Sequence, residues 1–413
     1  MPGEIQEGIN WQEGTKGSNF FKLILLRPAS GLSTSELFTH LSRLWGIWGS
    51  LKRGIVPSLG PDYPVDPSGL RCLMGFGHRF FERNDLAKPR PEGMIANNRF
   101  PQPAPGRDSP VLPGAGILFD RDVEVNQADQ EMAVQFTADT PLAIHRAQIE
   151  TWRYLHGVED DVTGQPPLSI SSFFDGFGRE DRRSWIDFHD GISNLRKGLE
   201  RMQVIAIKPD NAGGQEWTLN GTYLVFMRLP INLPVWQNVS LSSQELLVGR
   251  TKRSGSPLIG VDDQGLPLPD PRCPVPGTRE IIDPGNENFR EPTGVVPDSI
   301  KASHVQRANQ HRPVIFRPDS RRIYRQGFEF LESADSESGF RVGLNFVSFQ
   351  DDPVRVFAML TQSDWLGNLS FGGNAAEQAS GIDRLITVRA AGTFFVPPVH
   401  ATASFPGSDM FPA

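Results

Sequence analysis

The chain has 413 residues, which exceeds the size at which a single hydrophobic core stops growing, so we expect two domains. Its hydrophobic content of 38% and charged content of 22% are typical of a folded globular protein and exclude a disordered one. The formal net charge of −7 argues against a nucleic-acid partner, because a basic surface is needed to release counterions from phosphates. No apolar run approaches the ~20 residues that a transmembrane helix needs.

The N-terminal segment and the cysteines bear on the cellular location of the protein. The segment from Met1 to Thr15 is polar and acidic, and it has neither the basic and apolar regions of an export signal nor a twin arginine. Cys72 and Cys273 lie far apart, and two thiols in a chain of this length suggest a reducing compartment. Together these features predict a cytoplasmic protein.

Proline divides the chain. Seven prolines fall between Pro89 and Pro113, and nine fall between Pro257 and Pro297. Because proline at that density supports neither a helix nor a central strand, these regions are predicted to be long surface loops. Loops of this length inside a compact domain often cover a functional site.

The first half contains strands that are followed by helices. An early strand is predicted at Phe20 to Leu26, ahead of a serine-rich helix start at Ser33 to Ser35. From Glu131 to Ala138 the apolar residues alternate, as in a half-buried strand. Asp139-Thr140-Pro141 then begins a helix, because it combines a capping side chain with a proline at the first helical position. Four residues recur on that helix at spacings of three and four: Leu142, His145, Ile149 and Trp152.

The second half repeats this plan. A strand is predicted at Tyr223 to Leu229, ahead of a helix start at Ser242 and Ser243. A second strand alternates through Val342, Leu344, Phe346 and Ser348 and leads to a helix start at Asp352-Pro353. Each half therefore has the pattern of two βα units, which indicates an α+β protein with an internal duplication.

His304 is the strongest candidate ligand among the eight histidines. It lies in a capped stretch that begins at Asp298 and is typical of a short helix, and Arg307 would share its face. An imidazole beside a cation suits a haem, whose iron binds the nitrogen and whose propionates bind the charge. The alternative is a solvated helix face near the end of a proline-rich loop.

Two further clusters could carry chemistry. Asp190-Gly191 predicts a turn. It is unusual because Trp185, Phe188 and His189 precede it and could desolvate the Asp190 carboxylate. The segment from Arg321 to Phe328 is rich in arginine, and arginines at the end of a loop usually face water. Taken alone, each cluster is better explained as a solvent-exposed turn or loop than as part of a site.

Taken in order, these clusters resemble the motifs of the dye-decolourising peroxidases. That family carries a Gly-Phe-x-Asp-Gly motif, a proximal histidine and an Arg-Arg-Gly-Tyr element, in that order. The matching residues here are Asp187 to Gly191, Ser303 to Asn309, and Arg325 to Phe328. Gly343 to Gln350 resembles a further family strand, and Gly392 to Pro398 resembles its closing strand. The resemblance covers the chain from Phe20 to Pro398.

The resemblance implies a fold of two ferredoxin-like α+β domains, with haem b in the C-terminal one. On this basis we assign residues 1–205 to an N-terminal domain that carries the aspartate motif, and residues 206–413 to a haem-binding domain. The implied activity is that of a haem peroxidase that reduces hydrogen peroxide and oxidises dyes or phenolic-type organic compounds. The implied partners are hydrogen peroxide and a small organic reductant, and the sequence leaves open whether the chain forms a homo-oligomer.

The resemblance also implies roles for individual residues. His304 would hold the iron, Asp190 would move the peroxide proton, and Arg325 would stabilise the charge that develops as the O–O bond breaks. The apolar wall above the haem would contain Leu344 and Phe346. The remaining residues expected to bind the cofactor are Arg307, Gly191 and Ile192.

Two positions depart from the family pattern, because Asp187 replaces the first motif glycine and Gln326 replaces the second arginine. Glycine at such a place usually serves a close backbone approach or a positive φ. If Asp187 pointed toward the pocket, a second carboxylate there would raise the apparent pKa of Asp190. Two other readings stay open: a protein of this fold that stores, delivers or senses haem, and a haem-free interaction protein.

Overall fold

The computed structural model describes residues 3–10, 17–94, 111–112, 116–117, 131–158, 165–189, 199–269, 303–304, 323–334, 339–353, 355–356, 385–386 and 389–412. In chain order the strands are β1 (Phe20–Pro28), β2 (Arg71–Gly77), β3 (Val111–Leu112), β4 (Gly116–Ile117), β5 (Met132–Ala138), β6 (Leu168–Phe177), β7 (Thr222–Pro230), β8 (Leu258–Val261), β9 (Pro267–Pro269), β10 (Tyr324–Ser333), β11 (Phe340–Gln350) and β12 (Ala390–Val396). The α-helices are α1 (Thr34–Lys52), α2 (Pro141–His156), α3 (Leu199–Ile205), α4 (Leu233–Gln237) and α5 (Leu241–Val248). In this part of the chain, none of the helices is long and apolar enough to cross a membrane.

Eight strands close into one antiparallel barrel in the order β1, β5, β2, β12, β7, β11, β10, β6. Each half of the chain supplies four neighbouring strands, in the spatial order fourth, first, third, second. This is the order of a ferredoxin-like βαββαβ unit. The prediction of two ferredoxin-like α+β units is therefore confirmed. The boundary between residues 205 and 206 falls between β6 and β7 and stays a prediction.

The two halves meet along two seams. At the first seam β12 pairs with β2, through Phe394 with Gly77 and Phe395 with Phe76. At the second, the strand pairing of β10 with β6 is confined to Glu329 and Phe177. Side chains reinforce this second seam, because Arg228 Nη1 and Asn345 Nδ2 both donate to the carbonyl oxygen of Asp175, each at 2.9 Å.

Barrel closure buries the inward-facing side chains of the strands. Residues from all eight strands fill the interior, among them Phe21, Phe226, Phe328 and Phe394. The outer face of the N-terminal half is covered by α1 and α2. β5, expected to be half-buried, is therefore buried at every residue. The alternation of large apolar residues predicts the strand correctly. Both of its faces lack water because one lines the barrel interior and the other lies under α1 and α2.

The starts of α1 and α2 are where the sequence indicates, whereas α5 begins at Leu241 after the N-cap Ser240, ahead of the predicted start at Ser242 and Ser243. Ser33 caps α1, and it forms a reciprocal capping box with Glu36. α2 begins at Pro141, after Thr140, as expected, but the predicted capping side chain is absent, because Thr140 makes no capping hydrogen bond. Its buried face differs from the stripe singled out in the sequence, because Leu142 is 65% exposed and Trp152 is 49% exposed. The buried face instead contains Ala143, Ile144 and Ala147. Its alanine side chains are small and let the helix lie close to the sheet.

Candidate active site

The outer face of the C-terminal sheet carries the predicted site residues of β10 and β11. Arg325 lies directly opposite Ser348 in the pairing of these strands. Residues directly opposite each other project to the same face of a sheet. Leu344 and Phe346 share this face with Ser348, because side chains alternate along a strand. The structure therefore brings Arg325, Leu344 and Phe346 to one surface.

An apolar cluster covers this face. Phe346 belongs to it with Val225 and Met227 of the neighbouring strand β7, and Leu344 packs against it while remaining half-buried. Phe188 also belongs to the cluster, although it lies far away in the sequence. The segment that leads into Asp190 is thus anchored on the same side of the sheet as Arg325.

The backbone at Asp187 shows why the family has glycine there. Asp187 has φ of 66°, in the left-handed region that favours glycine. Its side chain is 62% exposed, and its carboxylate lies 3.6 Å from Lys252 Nζ. Asp187 therefore points to solvent. Its effect on Asp190, which lies outside the described residues, stays a prediction.

Gln326, which replaces the second arginine of the family motif, also leaves the sheet face that carries Arg325 unchanged. Gln326 lies beside Arg325 on β10, so its side chain projects to the opposite face, into the barrel. Its amide Nε2 donates to the carbonyl oxygens of Gly8 at 2.9 Å and Ile9 at 3.1 Å. Gln326 therefore holds the N-terminal segment inside the barrel.

Arg183 ties the turn before Asp190 to the loop after α5. Its guanidinium donates to the carbonyl oxygens of Asp187, Lys252 and Arg253. It also lies 2.9 Å from Nε2 of His189. Burial lowers the pKa of His189, and the positive charge of Arg183 adds to that effect. Sequence reasoning missed Arg183, because it is one of three arginines between residues 179 and 183 and no local pattern distinguishes them.

His304 is half-buried, and Ser303 beside it is 1% exposed. The Ser303 hydroxyl has no hydrogen-bond partner among the described residues. Four other predicted site residues lie outside the described residues: Asp190, Gly191, Ile192 and Arg307. The roles expected of all these residues stay predictions, as does the position of His304 relative to Arg325.

The residues of this face fit a haem. A macrocycle with apolar faces suits the cluster around Phe346, and the half-buried Arg325 offers a cation at its margin. The Ser348 hydroxyl is 0% exposed, and within the described part of the chain it has no hydrogen-bond partner. A buried polar atom of this kind usually has a partner, so the Ser348 hydroxyl is available to a ligand or an ordered water on this face.

A family comparison covers most of this region. The profile described as Dyp-type peroxidase, C-terminal, matches residues 181–401, which is more than half of the chain. Among curated proteins, deferrochelatase from Escherichia coli (strain K12) is 22% identical over 305 residues. That match covers 71% of this chain and 60% of the relative, so the chain spans less than two thirds of the curated proteins it resembles.

Solved structures share the fold across nearly the whole chain. Ferric DtpA from Streptomyces lividans is 23% identical with a TM-score of 0.63, and the alignment covers 98% of this chain and 96% of that one. A DyP-type peroxidase from Streptomyces coelicolor is 22% identical with a TM-score of 0.62, over 100% of this chain and 98% of the other. At these identities the similarity establishes the fold.

Proposed function

Because the chain belongs to the Dyp-type peroxidase family, we propose that it is a haem-dependent peroxidase, an oxidoreductase that reduces hydrogen peroxide. One observation carries the proposal beyond family membership. Arg325 shares a sheet face with the apolar residues Leu344 and Phe346, and Phe188, two residues before Asp190 in the sequence, packs on that face. A cation beside an apolar wall is what heterolytic cleavage of a peroxide requires.

Haem b would supply the iron that binds peroxide and accepts its oxidising equivalents. We assign the iron ligand to His304, whose imidazole nitrogen suits iron. Arg307 would bind a propionate, since it follows three residues later. Gly191 and Ile192 would lie against the macrocycle edge, as the family resemblance implies.

The chemistry of the protein side chains divides between two groups. The carboxylate of Asp190 would take the proton from the inner peroxide oxygen and deliver it to the outer oxygen, which leaves as water. The guanidinium of Arg325 would stabilise the negative charge that develops on the departing oxygen, because it stays cationic at any working pH. Leu344 and Phe346 would exclude competing water.

Electrons would come from a small organic reductant, such as a dye or a phenolic compound. The two thiols, far apart in the sequence, support a location in a reducing compartment such as the cytoplasm.

The direct test is an absorption spectrum of the purified, haem-loaded protein before and after one equivalent of hydrogen peroxide, followed by addition of a dye. The proposal expects a Soret band, a change of that band with peroxide, and its return as the dye is bleached. A haem-loaded protein whose absorption spectrum does not change on addition of peroxide would be a haem carrier or sensor. A protein without bound iron would support the haem-free reading.

The name of the curated relatives favours a second candidate. Deferrochelatase denotes removal of chelated iron, and the match covers 71% of this chain. The same preparation tests this reading, by measuring iron-free porphyrin and released iron after incubation with haem and a reductant. Appearance of both without peroxide turnover would favour the second candidate over the first.

A further inference from the structure

Arg183 makes an unusual number of directed contacts for a side chain outside the predicted catalytic set. Its Nη1 donates to the carbonyl oxygens of Asp187 and of Lys252, the latter at 2.8 Å. Its Nη2 lies 2.9 Å from His189 Nε2 and 3.1 Å from the carbonyl oxygen of Arg253. One guanidinium therefore joins a turn, a ring and a loop that come from two separate parts of the chain.

The ring contact fixes the hydrogen-bonding role of His189. Arginine has five N–H donors and no acceptor. His189 Nε2 must therefore accept, so the imidazole is neutral in this arrangement and carries its proton on Nδ1. A protonated His189 would present a donor to Arg183, and the contact would be lost.

The loop on the other side of Arg183 is well braced. The amide of Lys252 donates to Glu245 Oε1 of α5 at 2.8 Å. Arg250 Nη1 donates to the carbonyl oxygen of Gly255 at 2.7 Å, and this bond is buried. The carbonyls of Lys252 and Arg253 therefore belong to a loop held in place by hydrogen bonds. By binding them, Arg183 restrains the turn before Asp190.

The turn itself is tight. Within it, the amide of Asp187 donates to the carbonyl of Ser184 at 2.8 Å, and the amide of Ser184 donates to the carbonyl of Phe188 at 2.9 Å. Phe188 is 4% exposed and packs with Trp236 at a ring-centroid distance of 6.2 Å. His189 is joined to Asp190 by a peptide bond, so the orientation of His189 determines where the chain enters Asp190.

We infer that Arg183 is a positioning residue for the proposed peroxide chemistry, acting through His189 and the carbonyl of Asp187 on the segment that leads into Asp190. This inference rests on the proposed function. Its physical basis is that proton transfer depends steeply on donor–acceptor placement.

The test compares Arg183→Gln and Arg183→Lys with Arg182→Gln, a matched control at an exposed neighbouring position. Hydrogen–deuterium exchange of peptides spanning residues 183–189, haem content, and the rate of the spectral change with peroxide are measured on each full-length protein. Arg183→Gln is expected to speed exchange and to slow the reaction by about 10-fold or more, with haem content unchanged. Arg183→Lys should show a smaller but clear loss, because one ammonium cannot span acceptors on two segments. The control should match the wild type.

A second pair of variants keeps the test independent of any folding defect at residue 183. His189→Gln retains an acceptor for Arg183 and should react near the wild-type rate, whereas His189→Leu should resemble Arg183→Gln. If exchange rises in Arg183→Gln while the rate stays at the wild-type value, Arg183 only supports the fold and the inference is wrong. A wild-type protein that does not react with peroxide would instead overturn the proposed function.

Discussion

The carboxylate of Asp187 lies 3.6 Å from Lys252 Nζ, on the solvent side of the turn that precedes Asp190. The residue that replaces the family glycine therefore has an exposed charge paired with Lys252, and its cost lies in the backbone. A non-glycine residue in the left-handed region costs about 1–2 kcal/mol, somewhat less for aspartate. The exposed pair with Lys252 offsets little of this.

Asp187→Gly is accordingly expected to leave the pH dependence of the reaction with peroxide unchanged. The free energy of unfolding should stay the same or rise by up to about 1 kcal/mol, because relief of the left-handed strain opposes the added freedom of the unfolded chain. Rates against pH and denaturant melts of both proteins measure this. A shift of the acidic limb toward lower pH would show that Asp187 acts on Asp190 after all.

His304→Ala should lose most of the bound haem and keep its fold, because a half-buried ligand contributes little to the core. His145→Ala is the matched control, since His145 lies on α2 with its side chain 53% exposed. Iron content and the Soret band report the cofactor, and circular dichroism reports the fold. A normal haem complement in His304→Ala would remove His304 as the iron ligand.

A structural feature could be predicted from the sequence when neighbouring residues in the chain determine it. The start of α1 follows from Ser33 and Glu36 alone, and the strands follow from their alternation. The buried face of α2 does not, because the choice of Ala147 over Ile149 is made by the sheet that the helix covers. Arg183 is a stronger case, since its partners lie in a loop about seventy residues away, and its role depends on how the two segments pack.

The proton shuttle and the guanidinium are tested as a pair. Asp190→Asn and Arg325→Leu should each retain haem and slow the reaction with peroxide by ~10²-fold or more. The double variant should lose less than the product of the two factors, because both groups serve one step. Single-turnover rates at saturating haem measure the three proteins. Full multiplicativity would place the two residues in separate steps, and unchanged single variants would place the chemistry elsewhere.

Gln326 offers a contrast within the same strand. Gln326→Leu should leave haem binding and the reaction rate unchanged, because the side chain projects into the barrel. It should lower the free energy of unfolding by about 1–3 kcal/mol, since the carbonyls of Gly8 and Ile9 lose their buried donor. Arg325→Leu, by contrast, is expected to slow the reaction. A slow Gln326→Leu with normal stability would contradict the assignment of the two faces.

His189 predicts a pH dependence of stability whose sign follows from its surroundings. Burial is the largest cause that lowers its pKa, followed by the charge of Arg183. Arg250 also lowers it, whereas Asp181 and a hydrogen bond with the backbone of Arg253 act in the opposite direction. The folded protein thus binds this proton less readily than the unfolded chain, whose histidines titrate at about 6.5. The contribution of neutral His189 is intact above that pH. It is lost progressively as the pH falls through about 6.5 toward the lowered pKa of the folded protein.

The comparison of wild type with His189→Gln isolates this contribution, because His40 and His78 also have lowered pKa values and add the same slope to both proteins. Denaturant unfolding at pH 7.5, 6.5 and 5.5 is the measurement. The wild type should lose more stability than His189→Gln between the upper and lower pH. Over the same range the protection of residues 183–189 against exchange, corrected for the pH dependence of the intrinsic exchange rate, should fall as His189 is protonated and releases Arg183. Curves that stay parallel would mean that His189 titrates as it does in the unfolded chain, and that its contact with Arg183 does not restrain the turn.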